Sequence, residues 1–112
     1  MITIQELDSI LKEYGREKGY PVSFNAFKGR PTSSTMIMYA NPYDDDLYAD
    51  STNYFRKGHV EISLIQAERD FNVETDFESM LNEKGITFAL TTSEYYSDEE
   101  LWETIYETEV KK

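Results

Sequence analysis

The chain has no cysteine and a single histidine, His59, among its 112 residues. The first absence excludes a disulfide framework, a thiolate metal site and cysteine nucleophiles, and it suits a protein made in a reducing cytoplasm. The second leaves no histidine pair for a zinc set and no base–nucleophile dyad. His59 therefore reads as a strand-edge imidazole facing solvent or a neighbouring subunit. No window approaches the ~20 apolar residues of a membrane span, and residues 1–6 hold no basic segment leading into an apolar run. The expectation is a protein neither embedded in a membrane nor exported by a secretory signal. Basic side chains are scarce as well: 11 Lys and Arg stand against 22 Asp and Glu, a formal net charge of -11. That charge repels phosphate backbones and anionic lipid, which leaves proteins with basic surfaces as the expected partners.

What is present is enough to fold. Apolar residues make up 39% of the chain and aromatic ones 14%, more than a disordered acidic chain carries, because such chains lack the apolar area to offset ordering entropy. At this length folding buries about two-thirds of the extended chain's surface, and the expectation is a single domain over 1–112.

Thr3-Ile4-Gln5-Glu6 forms a capping box, and Ile4, Leu7, Ile10, Leu11 and Tyr14 follow at helical spacing until Gly15 or Gly19 and Pro21 end the run. Val22, Phe24 and Phe27 suggest a short extended segment, and 28–34 is loop chemistry. Thr35-Met36-Ile37-Met38-Tyr39 reads as a central strand stopped by Asn41-Pro42. Residues 43–57 are polar, aromatic and acidic without a period, which predicts a long loop. Val60, Ile62 and Leu64 alternate with polar residues in the clearest strand. Thr75-Asp76-Phe77-Glu78 matches a second capping box, Phe77, Met80 and Leu81 continue the stripe, and Gly85 followed by Ile86 suits a left-handed stop. Residues 87–95 and 102–110 read as strands. In the second, Trp102, Thr104, Tyr106, Thr108 and Val110 share one face, and Glu103, Ile105, Glu107 and Glu109 the other. The fold class is α+β: a small antiparallel or mixed sheet of about four strands with two helices on one face.

No convergent set of reactive residues is visible, and no enzyme activity is expected. Asp44, Asp45, Asp46 and Asp50 are numerous enough for a hard cation, but the sharp-turn glycine and the bidentate glutamate of a calcium loop are missing. A solvated loop or protein contact is the simpler reading, with no metal. Gly29, Gly58 and Gly85 are isolated, so no phosphate loop and no cofactor are predicted. Glu94, Glu99, Glu100 and Glu103 read as surface charge. The nine tyrosines divide between core, as for Tyr106, and interface candidates in the loop. Tyr54-Phe55-Arg56-Lys57 joins aromatic to basic residues. It is either an ordinary strand entrance or a patch facing Glu103, Glu107 and Glu109 of an adjacent copy.

The Tyr48-Ala49-Asp50 step, Val60-Glu61-Ile62-Ser63-Leu64 leading to a helix, Leu81 to Gly85-Ile86, and the finish from Glu94-Tyr95-Tyr96 to Tyr106 resemble the tail terminator or tail completion (minor capsid, head–tail joining) proteins of long-tailed bacteriophages. The resemblance runs over roughly 39–110. It implies a structural protein of the virion tail or neck, present in the host cytoplasm during assembly. Six copies would ring and cap the tail tube and dock the head connector protein, with DNA passing through and no membrane contact. On that reading Tyr48, Asp50, Tyr54, Phe55, Arg56 and Lys57 contact a neighbouring subunit or partner. Asp44, Asp45, Asp46, Glu103, Glu107 and Glu109 then form an acidic face toward the lumen or the connector. An alternative from another class is an acidic inhibitor that imitates DNA and binds a basic enzyme; it requires a long continuous acidic face.

Overall fold

A computed structural model describes residues 1–25, 34–49 and 53–111, and of 43–49 and 53–56 the backbone alone. The order is α1 (Ile4–Lys18), β1 (Val22–Phe24), β2 (Thr35–Ala49), β3 (Asn53–Gln66), α2 (Phe71–Glu83), β4 (Phe88–Tyr96) and β5 (Leu101–Lys111).

The capping box at the start of α1 forms as expected. Thr3 Oγ1 accepts the Glu6 amide at 3.1 Å, and Glu6 Oε1 accepts the Thr3 amide at 3.2 Å. Gly19, at φ 78°, ends the helix, and the Tyr20 amide returns to the Gly15 carbonyl at 2.7 Å. Gly15 has another task. A Cβ there would lie 2.5 Å from both Tyr20 O and Val22 Cγ2, so only glycine lets the chain fold back into β1 against the helix.

Helix α2 begins earlier than the second capping box predicted. Asp70 is the cap and accepts the Asn72 amide at 2.9 Å. Thr75 lies inside the helix, where its hydroxyl donates to the Phe71 carbonyl at 2.9 Å. A Thr-x-x-Glu spacing caps only where amides are still free, and inside the helix the backbone ladder has already used them. The predicted stop holds: Gly85 has φ 73°, the Ile86 amide donates to Leu81 O at 2.9 Å, and the Gly85 amide donates to Asn82 O at 3.1 Å. Ile86 packs back into the core.

The sheet has five strands rather than about four, in the order β1-β2-β3-β5-β4. The fifth is β1, parallel to β2 from Val22↔Ile37 to Phe24↔Tyr39, which makes the sheet mixed; all other pairs are antiparallel. The larger correction concerns 43–57, expected as a long loop. It forms the end of β2 and the start of β3, paired from Tyr43↔His59 to Ala49↔Asn53. The ladder is irregular between Ala40 and Tyr43, the span that holds Pro42, which has no amide hydrogen to donate. Among the described residues, β3 and β5 pair from Lys57↔Lys111 to Gln66↔Trp102. The β2–β3 ribbon continues beyond that ladder as an arm. Strict alternation is the sequence mark of a half-buried strand, and residues 43–57 do not alternate, so their pairing had no such signal.

One sheet face is covered by the helices. Ile37, Tyr39, Val60, Ile62, Leu64, Tyr106 and Val110 meet Leu7, Leu11 and Tyr14 of α1 and Phe77, Met80 and Leu81 of α2 in a single buried cluster. Three core tyrosines in that layer turn their hydroxyls to carboxylates at its rim. Tyr14 donates to Asp76 Oδ2 at 2.5 Å, joining the helices; Tyr39 donates to Asp8, joining β2 to α1; Tyr106 donates to Glu78 Oε2 at 3.3 Å, joining β5 to α2. Burial pushes all three phenols well above their ordinary pKa, and the facing carboxylates add to the shift. The Tyr14 hydrogen bond, with help from Lys18, holds Asp76 below the usual carboxylate range. Arg69 secures the link between β3 and α2. It grips Glu74 at 3.1 and 3.2 Å and reaches Ser93 Oγ at 3.3 Å, with its guanidinium between the rings of Phe71 and Trp102.

Candidate interaction surfaces

Among the described residues no helix covers the other sheet face. Alternation sends 59, 61, 63 and 65 of β3 and 103, 105, 107 and 109 of β5 to this side, and the register decides which of them meet. Glu61 stands directly opposite Glu107, and Glu94 opposite Glu103. Between these like-charged pairs lie Ser63, opposite Ile105. Directly opposed carboxylates destabilise a sheet, so each pair is moderated locally. The Tyr96 hydroxyl lies 3.1 Å from Glu94 and 3.0 Å from Glu103. Its hydrogen bonds to Glu103 and then Glu94 leave the phenol pushed up to about 12. His59 Nδ1 lies 3.8 Å from both Glu107 and Glu109, and Lys57 Nζ lies 3.2 Å from Glu109.

The residues expected at a subunit contact fall on the arm. Tyr48 is opposite Tyr54, Leu47 opposite Phe55, Asp46 opposite Arg56, and Asp45 opposite Lys57. Backbone pairing therefore places the acidic Asp44, Asp45 and Asp46 beside the basic Arg56 and Lys57 on one ribbon, although separate roles were expected for the two groups. Asp50 lies outside the described residues, and nothing in the structure bears on it. Glu103, Glu107 and Glu109 share the open face as expected, and the described side chain of Lys57 already pairs with Glu109 of its own chain.

Two features were not anticipated. One is Glu61, whose meeting with Glu107 depends on register. The other is the outer edge of β4, which ends the sheet and has no strand partner among the described residues. Leu90, Tyr95 and Tyr96 on it are 55%, 48% and 40% exposed. Among the described residues no group of three or more Asp, Glu or His gathers as a cation site, and no helix is long and apolar enough to cross a membrane.

The chain matches no family model and no curated protein. Among solved structures it matches a chain in a structure described as the virion of a native gene transfer agent (GTA) particle, with a TM-score of 0.59 at 13% identity, covering 88% of this chain and 84% of that one. The fold is one found in a virion. The match covers most of both chains, so what they share is a fold and not one common hairpin.

Relieving one of the opposed pairs tests how the open face is held. Glu107→Lys places a cation across from Glu61, and the expected outcome is a gain of about 0.5 kcal/mol in urea unfolding, modest because both side chains are solvated. A loss of stability would show that Glu61 and Glu107 do not repel.

Proposed function

We propose that this chain is a structural virion protein that closes the end of a tail tube as an oligomeric ring and joins the tube to the head connector, with no catalytic activity. The observation that carries this reading is the fold shared across 88% of the chain with a virion component. The surface agrees with such a role. A sheet face without a helix and an edge strand without a strand partner, both among the described residues, are features that repeated subunits use on one another. Acidic residues on that face suit a passage for DNA, since they repel phosphates instead of holding them.

The DNA-imitating inhibitor fits less well. Ser63 and Ile105 separate the carboxylate pairs of the open face, and Lys57, His59 and Lys111 sit at its end, so the phosphate-like run that such a mimic needs is broken. The deciding experiment adds the purified protein to tail tubes assembled without a terminator and follows them by negative-stain imaging. The expected result is tubes capped at one end that no longer lengthen when tube protein is added. Intact tubes that keep growing and carry no cap would overturn the reading.

A further inference from the structure

Natural sheets blunt their edges with short strands, lysine, proline, bulges or a covering segment, because an open edge pairs with another chain. Strand β4 has nine residues, with no lysine, no proline and one charge, Glu94. It joins α2 to β5 directly, and β5 stands between it and β1, β2 and β3. Its one blunting device is the irregularity between Leu90 and Thr92, which also shifts the alternation by one. Phe88, Leu90, Ser93 and Tyr95, opposite Thr108, Tyr106, Thr104 and Trp102, therefore share the helix side. The helices leave this row uncovered, since Leu90 and Tyr95 are exposed. Beyond Tyr95 the row continues as a stack through Trp102 and Arg69 to the exposed ring of Phe71, with separations of 5.0, 5.4 and 4.7 Å. The other row of β4 is different in kind. Ala89, Thr92 and Glu94 lie on the open face, opposite Glu107, Ile105 and Glu103.

We propose that β4 takes up an extended segment of a different protein as an added strand, apolar on one side and bearing lysine or arginine on the other. Main-chain hydrogen bonds along the edge hold such a segment, and its alternating side chains meet the two rows of β4 separately. On the helix side they cover Leu90, Tyr95 and the stack that follows. Trp, Tyr and Arg are the residues that carry most binding energy at interfaces. Arg69 is already held by Glu74 and Ser93, so the stack is ordered before anything binds and little entropy is lost. On the open side the incoming side chains stand next to Glu94, which already opposes Glu103. A cation there relieves the like-charge pair, and another carboxylate adds to it. That condition disfavours a second copy as the occupant. Antiparallel pairing with another β4 would bring a second Glu94 to the same acidic face, and each chain has a formal net charge of -11. The inference stands on the edge itself and does not require the ring reading.

The test uses the full chain and three synthetic peptides of about eight residues, the length of an ordinary strand. One alternates valine and lysine, one has the same composition with valines and lysines in separate blocks, and one alternates valine and glutamate. The fluorescence of Trp102, the single tryptophan, follows binding, and hydrogen exchange follows the amides of 88–96. The expected result is that the valine–lysine peptide slows exchange at β4 amides that are open in the free chain. It should bind roughly fivefold more tightly than either other peptide. Glu94→Lys should reverse the order of the two alternating peptides, and Leu90→Ser should weaken both. Both positions are exposed, and circular dichroism checks that the variants remain folded. Equal binding of the blocked peptide, with no slowing at 88–96, would mean general charge attraction and overturn the added strand. An unchanged order in Glu94→Lys would overturn the basic side of the partner, and binding of none of the three would overturn the proposal whole. A free protein that sediments as a dimer with the outward β4 amides already protected would give the edge to a second copy and overturn it too. Uptake of the valine–lysine peptide by a chain that fails to cap tubes would overturn the ring reading and leave this one.

Discussion

Raising the pH above 10 is expected to unfold this protein cooperatively, and the cause is the set of three phenols that seal its core. Tyr14, Tyr39 and Tyr106 each have their pKa raised in the folded chain, first by burial and then by the carboxylate that accepts the hydroxyl proton. A raised folded pKa means that the native state holds its proton after the unfolded chain has released it. The stabilisation is therefore complete below the unfolded value near 10 and is lost as the pH climbs from there toward the folded value. Each phenol costs up to ~1.4 kcal/mol per pH unit in that window, and three together up to ~4 kcal/mol per unit, against a typical total of ~5–15 kcal/mol. Circular dichroism and the near-ultraviolet absorbance of tyrosinate check this together. Part of the tyrosinate signal should appear only as secondary structure is lost. Tyr106→Phe should reduce the slope of stability against pH by up to ~1.4 kcal/mol per unit, because one linked proton is gone. All nine tyrosines ionising near pH 10 with the dichroism unchanged would refute the account.

Those contacts also show why part of the molecule cannot be read from its residues in order. The partners in Tyr14–Asp76, Tyr39–Asp8 and Tyr106–Glu78 lie 62, 31 and 28 positions apart, and no local pattern relates them. What was legible had a short-range cause. Thr3 and Glu6 cap each other three residues apart, Gly85 stops a helix beside its own last turn, and Val60, Ile62 and Leu64 alternate because one side is buried. The arm was misread as a loop because residues 43–57 do not alternate, and its pairing is set by a partner strand. The acidic side of β5 was visible as alternation. Its confrontation with Glu61 was not, since register follows from where β5 inserts in the sheet. The exposed edge has the same origin: β4 is terminal only because β5, later in the chain, lies between it and β3. Thus the exposed surfaces of the sheet are products of strand order, while the elements that build them are local.

Phe77→Ala should produce the largest loss of stability of any single truncation. The Phe77 ring is fully buried and lies between Tyr14 and Tyr106, with centroid distances of 5.7 and 5.4 Å in tilted contacts. It thereby connects α1, α2 and β5 at the centre of the helical layer. Removing it forfeits the burial of a large ring, leaves a cavity and loosens the two phenols that depend on it, at a cost of ~3–5 kcal/mol. In thermal unfolding this corresponds to a fall of roughly 15 °C or more in Tm for a domain of this size. Phe77→Leu keeps part of the volume and should lose about half as much. The location of Phe77 also separates folding from assembly. It packs on the helix-covered side of the sheet, whereas the opposed glutamates lie on the open side and the β4 edge faces outward. If the chain caps tubes as proposed, Phe77→Ala kept below its lowered Tm should still do so. If Phe77→Ala, still folded by circular dichroism, failed to cap, the helical layer itself would have to be part of the contact surface.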